Sequence, residues 1–211
     1  CMMKRVLLTG ASGFIGRQAV SLLLEKDYEV HAVSLQSPAI DIRVRWHHAD
    51  LLDASQRKAL IAEVSPTHVL HFAWIAIPGV YWTSPLNNNW HDATLDLFSL
   101  CTEYGVRRFV GAGSCAEYDW IEGHCKEEET PCIPLTPYGK AKADCAQRVV
   151  AAHDGTATAW GRIFHLYGPY EHRSRLVPST PKHPRKQRRL SVQEPREETP
   201  RSSRTLIKYT R

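Results

Sequence analysis

The sequence lacks several features that would point to a membrane or metal-binding protein. It contains no run of 18 consecutive apolar residues, so we expect no membrane-spanning helix. None of its six cysteines form a Cys-x-x-Cys pair, and no histidine cluster has the spacing of metal ligands. The short apolar stretch near the N-terminus has no cleavage site and indicates a strand rather than a signal peptide. We therefore expect a cytoplasmic protein with reduced thiols and no bound metal.

The sequence also has little net charge outside its last 33 residues. Residues 179–211 carry ten Lys or Arg and three Glu, whereas residues 1–178 carry 17 basic and 19 acidic residues. A nucleic-acid partner inferred from the overall charge of +5 would rest on this segment, in which Tyr209 is the only aromatic residue, so nucleic acid is not favoured. The segment is rich in proline and poor in apolar residues, which predicts a disordered basic tail. The alternative is a tail that docks on the rest of the protein.

The most informative feature that is present is a glycine-rich turn near the start of the chain. Gly10, Gly13 and Gly16 follow the apolar run Val6-Leu7-Leu8 and precede an amphipathic stretch, which predicts strand, turn and helix. Glycine allows the backbone to approach a ligand closely, and the start of a helix presents free N–H groups to an anion. The turn therefore predicts a site for the pyrophosphate of a nucleotide. The alternative is a tight turn that only packs the helix on the strand.

Strands and helices alternate along the first 178 residues. The strands are predicted at Arg5–Thr9, Glu29–Ser34, Val44–His48, His68–Ala73, Arg108–Gly113 and Thr158–Ile163. The helices are predicted at Phe14–Lys26, Ser55–Val64, Asn88–Tyr104 and Tyr138–His153. Alternation of this kind predicts an α/β domain at residues 1–178, a Rossmann-type doubly wound parallel sheet with helices on both faces. Ligands then bind at the carboxyl ends of the strands.

Two further elements carry groups that can move a proton. Tyr138 and Lys142 are four residues apart on a predicted helix and so share one face. An ammonium near a phenol favours the phenolate, so we expect Lys142 to lower the pKa of Tyr138. Ser114 follows the strand that ends in Gly113 and could hold a reacting oxygen beside that phenol. Taken singly, the helix pair is equally compatible with a solvated helix face, and the serine with a turn residue.

Together these elements resemble a known family. From Lys4 to about Pro178 the sequence is similar to the extended short-chain dehydrogenase/reductases, in the NAD-dependent epimerase/dehydratase group that modifies nucleotide sugars. The resemblance rests on the following segments, taken in their order: Thr9–Gly16, Asp50–Asp53, His71–Ala73, Gly113-Ser114, Tyr138-x-x-x-Lys142 and Tyr167–Pro169.

The resemblance implies a role for individual residues. Ser114, Tyr138 and Lys142 would be the catalytic triad, with Lys142 also binding the nicotinamide ribose. The implied cofactor-binding residues are Gly10, Ser12, Gly13, Phe14, Ile15, Gly16, Ser34, Asp50, Leu51, Phe72, Ala73, Tyr138 and Lys142. The implied substrate-binding residues are Trp82, Ser114, Cys115 and His165. Tyr81, Trp82 and Trp90 are interpreted either as sugar contacts or, preferably, as packing and interface residues, and His71 is interpreted as a core histidine.

The cofactor is expected to be NAD or NADP. In NAD enzymes an acidic residue at the end of the second strand usually receives the adenosine ribose hydroxyls, and Ser34 stands at that position. Because no carboxylate stands at that position to repel a 2′-phosphate, we expect the site to tolerate NADP as well as NAD.

The resemblance also restricts the reaction. The 4,6-dehydratases of the family have an Asp–Glu pair directly after the catalytic hydroxyl, whereas this chain has Cys115-Ala116, which disfavours dehydration. This leaves 4-keto reduction or epimerisation of a deoxyhexose nucleotide in a surface-polysaccharide pathway. The alternative is a non-catalytic dinucleotide-binding protein with a basic interaction tail.

The resemblance implies a homodimer in which Asn88–Tyr104 and the Tyr138 helix form a four-helix interface. Family members continue beyond Pro178 into a substrate-binding lobe, whereas the pattern of this sequence stops there. We therefore expect a truncated or replaced C-terminal lobe, and a chain that binds dinucleotide but turns over nucleotide sugar poorly or not at all.

Overall fold

The computed structural model describes residues 4–36, 41–152 and 155–172. The strands are β1 Lys4–Thr9, β2 Tyr28–Val33, β3 Arg45–His47, β4 His68–His71, β5 Arg108–Ser114 and β6 Ala157–Ile163. The helices are α1 Phe14–Glu25, α2 Ala54–Val64, α3 Leu86–Glu103 and α4 Pro137–Ala151, with a short 3-10 helix at Cys115–Glu117. The expectations for residues 179–211 and for the end of the pattern at Pro178 fall outside the described residues.

Within the described residues, the six strands form one sheet in the order β3-β2-β1-β4-β5-β6, and every neighbouring pair is parallel. This confirms the doubly wound parallel sheet predicted from the sequence. The strand order reverses at β1, which pairs with β2 on one side and with β4 on the other. In such sheets ligands bind in the crevice outside the carboxyl ends of the strands at the reversal. The chain segments that follow β1 and β4 therefore line the expected site.

Helices cover both faces of the sheet. One face carries α2, α3 and α4, and the other carries α1. The first interface contains Leu7, Leu60, Ile61, Val69, Leu97, Phe98, Phe109 and Val149. The second contains Val6, Leu8, Val20, Val30, Ala32 and Val44. Because side chains alternate between the two faces of a strand, a run such as Val6-Leu7-Leu8 contributes to both interfaces and is apolar throughout.

The start of α4 is fixed by local hydrogen bonding. The Thr136 side chain accepts a hydrogen bond from the backbone N–H of Gly139 at 3.0 Å, and Pro137 is the first residue of the helix. A hydroxyl at the N-cap followed by proline is a common way to begin a helix. The helix that starts here places Tyr138 in its first turn and Lys142 one turn later, on the side that faces the end of β5.

A tryptophan lies flat against the neighbouring strand at the last strand pair. Gly111 and Gly113 on β5 are register partners of Trp160 and Arg162 on β6. A Cβ at either glycine would collide with the Trp160 ring, and at Gly113 it would also come within 2.5 Å of the Glu117 carboxylate. Glycine at both positions is therefore required by the close approach of the indole.

Among residues 4–36, 41–152 and 155–172, no helix is both long enough and apolar enough to cross a membrane.

Candidate functional site

The glycine-rich turn has the geometry that its sequence predicts. Gly10 has a φ of 66°, and a Cβ there would lie 2.8 Å from the Ala73 nitrogen, so a side chain is excluded by both strain and space. The Gly13 N–H donates to the Gly10 carbonyl at 3.0 Å, and a Cβ at Gly16 would collide with that same carbonyl. The turn therefore brings the first N–H groups of α1 to the ends of β1 and β4, where an anion can bind.

A cleft of about 720 Å³ begins at this turn and extends along the ends of β4 and β5. Its volume is typical of a small-molecule or cofactor site. Every residue that the sequence assigned to the site lines it: Gly10, Ser12, Gly13, Phe14, Ile15, Gly16, Ser34, Asp50, Leu51, Phe72, Ala73, Trp82, Ser114, Cys115, Tyr138, Lys142 and His165. Residues from separate segments of the chain are thus brought together by the parallel sheet.

One end of the cleft is polar. The Ser12 and Ser34 hydroxyls lie 3.3 Å apart, and the Ser34 hydroxyl also accepts a hydrogen bond from the Gln36 N–H at 3.1 Å. The Asp50 carboxylate accepts from the Leu52 N–H at 2.9 Å, which leaves its other oxygen for a ligand. Ser34, which directly follows β2, lines the cleft at the position where an acidic residue often binds the adenosine ribose.

His71 lies behind the cleft and does not line it. Its Nδ1 is 2.7 Å from the Thr9 hydroxyl and its Nε2 is 3.0 Å from the Thr94 hydroxyl. The Thr9 hydroxyl in turn accepts from the N–H groups of Phe72 and Ala73, both at 3.1 Å. Since His71 is only 2% exposed and both ring nitrogens have partners, the structure places it in the core.

Burial of His71 has a consequence for the pH dependence of stability. Burial, with a smaller contribution from Lys142, lowers the pKa of His71 to about 3, whereas an unfolded histidine titrates near pH 6.5. Below pH 6.5 the unfolded chain therefore binds a proton that the folded chain does not, so stability is lost as the pH falls. Between pH 7 and pH 5, we expect wild type to lose about 2 kcal/mol more unfolding free energy than His71→Gln. Urea denaturation at the two pH values measures the difference.

The control for that experiment is His48→Gln, because His48 is exposed. It should lose the same free energy between the two pH values as wild type does. An identical loss in wild type and in His71→Gln would contradict the assignment of a neutral, buried His71.

Ser114, Tyr138 and Lys142 meet at the other end of the cleft. The Ser114 hydroxyl lies beside the Tyr138 phenol, where it acts to lower the pKa of that phenol, and it accepts from the Ala116 N–H at 3.2 Å. The Lys142 ammonium donates to the Ala112 carbonyl at 2.8 Å. A hydroxyl pair of this kind can hold an oxygen of a ligand and transfer a proton to it.

The expected effect of Lys142 on Tyr138 is wrong for this structure. Burial raises the pKa of Tyr138 to about 12, although its hydrogen bond with Ser114 acts in the opposite direction. The Lys142 ammonium is directed at the Ala112 carbonyl and at the face of Trp74, and it does not contribute to the shift. Tyr138 is therefore a neutral phenol at neutral pH, which is the form that can donate a proton.

A buried carboxylate supports the end of β5. Glu117 is completely buried, and its Oε1 accepts from the Ser114 N–H at 2.7 Å and from the Trp160 indole N–H at 3.2 Å. Its Oε2 accepts from the Arg162 guanidinium at 2.7 Å. The Ser114 side chain completes a capping box with Glu117. The pair of residues therefore fixes the backbone that carries the Ser114 hydroxyl.

Aromatic side chains form a wall around Tyr138. The ring centroids of Trp74, Tyr81 and Trp82 lie 6.3, 4.8 and 5.8 Å from that of Tyr138, each in an edge-on arrangement. Trp90 also lines the cleft and packs against Trp74 at 6.4 Å. Cys115 is buried, which raises the pKa of its thiol, and His165 is exposed at the rim. The wall makes this end of the cleft mainly apolar, in contrast to the Ser12–Ser34 end.

Two buried polar residues of the site were not found from the sequence. Asn87 connects Trp74 to the turn that carries Tyr81, and Glu117 supports Ser114. The Ser-x-x-Glu spacing from Ser114 to Glu117 is a capping-box signal that could have identified Glu117. No recognised sequence pattern marks Asn87, whose partners Trp74, Tyr81 and Ser84 lie 13, 6 and 3 residues earlier in the chain.

Comparisons with known proteins agree with this geometry. Residues 6–195 match the family described as NAD dependent epimerase/dehydratase family. UDP-arabinose 4-epimerase 1 of Arabidopsis thaliana is 33% identical over 152 residues, which are 65% of this chain and 36% of that protein. GDP-mannose 4,6-dehydratase of Vibrio cholerae is 30% identical over 159 residues, which are 66% of this chain and 43% of that protein.

Among solved structures, the UDP-glucose 4-epimerase of Thermus thermophilus in complex with NAD is 30% identical to the chain. The TM-score is 0.67, and the match covers 75% of this chain and 54% of that one. The chain therefore spans about half the length of this structure, and less than half the length of the two curated relatives.

Proposed function

We propose, since the chain belongs to the NAD-dependent epimerase/dehydratase family, that it binds NAD and acts on a nucleotide sugar as a 4-keto reductase or an epimerase. The observation that carries the proposal is that Ser114, Tyr138 and Lys142 line the same cleft as the glycine-rich turn. Residues 1–178 would form the dinucleotide-binding domain. This activity is proposed for the whole protein. The chain spans about half the length of the solved epimerase structure and less than half the length of the curated relative.

The residues of the cleft fit the cofactor. The N–H groups at the start of α1 are free for a pyrophosphate, because no side chain of the glycine turn covers them. Ser34 would offer a hydrogen bond to the adenosine ribose, and Asp50 and Leu51 would hold the adenine. Tyr138 and Lys142 would hold the nicotinamide ribose at the other end. The bound nicotinamide supplies a hydride donor or acceptor at its C4 atom.

The side chains of the chain itself would handle the proton. In reduction, the neutral Tyr138 phenol donates its proton to the sugar carbonyl oxygen as the carbon receives a hydride, and a secondary alcohol results. The Ser114 hydroxyl orients the same oxygen, and its interaction with Tyr138, which acts to lower the pKa of the phenol, stabilises the phenolate that remains. Oxidation of an alcohol is the reverse, in which Tyr138 accepts the proton. Epimerisation would use both directions in one cycle.

Dehydration is not proposed, although one relative carries that activity in its name. Elimination of water needs an acid and a base beside the hydroxyl that Ser114 provides, and Cys115 and Ala116 supply neither. Glu117 cannot take this role, because its carboxylate is buried and accepts hydrogen bonds from Ser114, Trp160 and Arg162. The mainly apolar wall of the cleft favours a deoxyhexose over a fully hydroxylated sugar.

Turnover with defined substrates tests the activity. We would incubate the chain with UDP-glucose, UDP-arabinose and a nucleotide-linked 4-keto-6-deoxyhexose, with NAD or NADH. Net consumption of NADH would identify a reductase, whereas interconversion of 4-epimers without net NADH change would identify an epimerase. Formation of a 4-keto-6-deoxy product from a hexose would contradict the proposal.

Binding of NADH can be tested independently of turnover. Gly13 has an ordinary φ of −77°, so a side chain there needs no left-handed backbone, although its Cβ would lie 3.2 Å from the Gly10 carbonyl and that carbonyl would have to shift by a few tenths of an ångström. The side chain would also stand where the pyrophosphate approaches α1. We expect Gly13→Val to weaken NADH binding at least tenfold, about 1.4 kcal/mol or more. Titration of NADH fluorescence measures this loss.

Gly161→Val is the matched control, because a Cβ at Gly161 meets no atom within 4 Å. It should bind NADH as wild type does. Wild-type affinity in Gly13→Val would show that the turn does not hold the pyrophosphate. The same titration with NADPH decides between the two cofactors, and an affinity ratio above about ten in favour of NADH would refute tolerance of the 2′-phosphate.

A homodimer through α3 and α4 is also proposed, by analogy with the family. The two helices pack against each other beside the sheet. Sedimentation of the purified chain would distinguish a dimer from a monomer.

A further inference from the structure

We infer that Trp74 is a positioning residue for Lys142, and that Asn87 fixes the indole in the orientation that this role requires. The inference rests on the proposed function only for the part that Lys142 plays in it. It concerns the state of the ammonium, which can be observed whether or not a substrate is turned over.

The Lys142 ammonium is in contact with the face of the Trp74 indole. Lys142 Nζ lies 3.8 Å from the centroid of the Trp74 ring and donates to the Ala112 carbonyl at 2.8 Å. An ammonium has three N–H groups and needs partners for them. Lys142 is only 3% exposed, so water is largely replaced by the face of the ring. A cation over the face of a tryptophan is attracted by the ring quadrupole, most strongly where water is excluded.

The buried amide of Asn87 fixes the orientation of the Trp74 ring. The Trp74 indole N–H donates to Asn87 Oδ1 at 2.9 Å. Asn87 Nδ2 donates to the backbone carbonyls of Tyr81 at 2.7 Å and Ser84 at 2.9 Å. Asn87 is only 1% exposed and does not line the cleft. Its amide therefore acts on the site through Trp74 and through the turn before α3.

The Asn87 amide is also connected to Tyr138, through Tyr81. The Tyr81 carbonyl that Asn87 binds belongs to the residue whose ring packs edge-on against Tyr138 at 4.8 Å. The backbone carbonyl of the next residue, Trp82, accepts from the Tyr138 backbone N–H at 3.2 Å. One side chain outside the cleft thus holds the aromatic neighbours of both proton-carrying groups.

Other charged and titratable groups also act on Lys142. Burial lowers the pKa of Lys142 to about 8, while Cys145 and Glu117 act to raise it. Tyr138 lies one turn earlier on α4, and the neutral His71 lies behind β4. None of these residues hydrogen-bonds to the Trp74 side chain or to Asn87. A change in the titration of Lys142 on altering Trp74 therefore reports on the indole.

The test is an NMR titration of the full chain labelled with ¹³C at the lysine ε carbon. The Lys142 signal is assigned as the one missing in Lys142→Arg. We expect Trp74→Leu to lower the apparent pKa of Lys142 by about one unit, because the ammonium loses the ring face. Trp74→Phe should retain most of the wild-type value, since it keeps a π face. Asn87→Leu should shift the pKa in the same direction as Trp74→Leu.

Asn88→Leu is the matched control, because Asn88 is the exposed neighbour of Asn87 on the same helix. It should leave the titration unchanged. Trp74→Met is a second variant without a π face, to be used if Trp74→Leu does not fold, and thermal melting checks each protein. An unchanged or raised pKa in the variants without a π face would overturn the inference, as would an equal loss in Trp74→Phe. Absence of turnover in wild type would count against the proposed function alone.

Discussion

Tyr138→Phe is expected to lower kcat by about 10²- to 10⁴-fold with whichever nucleotide sugar the wild-type chain turns over. The substitution removes the hydroxyl that lies beside Ser114 and keeps the ring that packs against Trp74, Tyr81 and Trp82. Proton transfer is therefore lost, while the aromatic wall remains. Steady-state kinetics measures kcat, and NADH titration measures separately any loss of cofactor affinity, since the same hydroxyl would contact the nicotinamide ribose.

Tyr104→Phe provides the comparison, because Tyr104 is exposed at the C-terminal end of α3. Its kcat should equal that of wild type. A kcat for Tyr138→Phe within about threefold of wild type, well below the usual contribution of a general acid, would remove the phenol from the mechanism.

Glu117→Ala is expected to destabilise the fold by about 3 kcal/mol, because the Ser114 and Trp160 N–H groups would lose their acceptor at about 1–3 kcal/mol each, while the Arg162 side chain, 28% exposed, can turn to water. Glu117 is completely buried, and its loss would leave the Arg162 guanidinium, the Trp160 indole N–H and the Ser114 N–H without their common acceptor. The free energy of unfolding in urea at pH 7 measures the effect.

Glu122→Ala is the control for that measurement. The Glu122 side chain is 79% exposed and lies 3.7 Å from His124 in a surface ion pair, which contributes little. We expect a change within about 0.5 kcal/mol. A loss below about 1 kcal/mol in Glu117→Ala would mean that water or a rearranged Arg162 replaces the carboxylate.

The order of strands and helices could be predicted because several strands are short and almost wholly apolar, as in Val6-Leu7-Leu8, and alternate with amphipathic helices. The ends of the elements were less predictable. The strand predicted to reach Ala73 ends at His71: the Phe72 N–H is shared between the Thr9 carbonyl and hydroxyl, and the Ala73 N–H donates to the Thr9 hydroxyl. The helix predicted from Asn88 begins at Leu86, where Asn87 holds the preceding turn. Both differences depend on contacts that the local sequence pattern does not show.

The residues of the site could be predicted because the carboxyl ends of parallel strands lie at one edge of the sheet. The electrostatics could not. The four-residue spacing of Tyr138 and Lys142 indicated a lowered phenol pKa, but the side chains that bury Tyr138 come from the segment 74–82. The carbonyl that takes the Lys142 ammonium belongs to Ala112 on a strand. Spacing along a helix gives proximity, whereas a pKa depends on what the rest of the chain places around the group.

The indole of Trp160 occupies the space above Gly111 and Gly113. The size of the side chain at position 160 on β6 therefore limits the size of the side chains at positions 111 and 113 on β5. A larger residue at either glycine could be accepted only together with a smaller one at position 160. Such a compensated exchange would also remove an N–H donor from the Glu117 carboxylate. Related sequences should therefore vary at these three positions in concert, and repacking this corner would require redesign of the carboxylate beneath the serine at the same time.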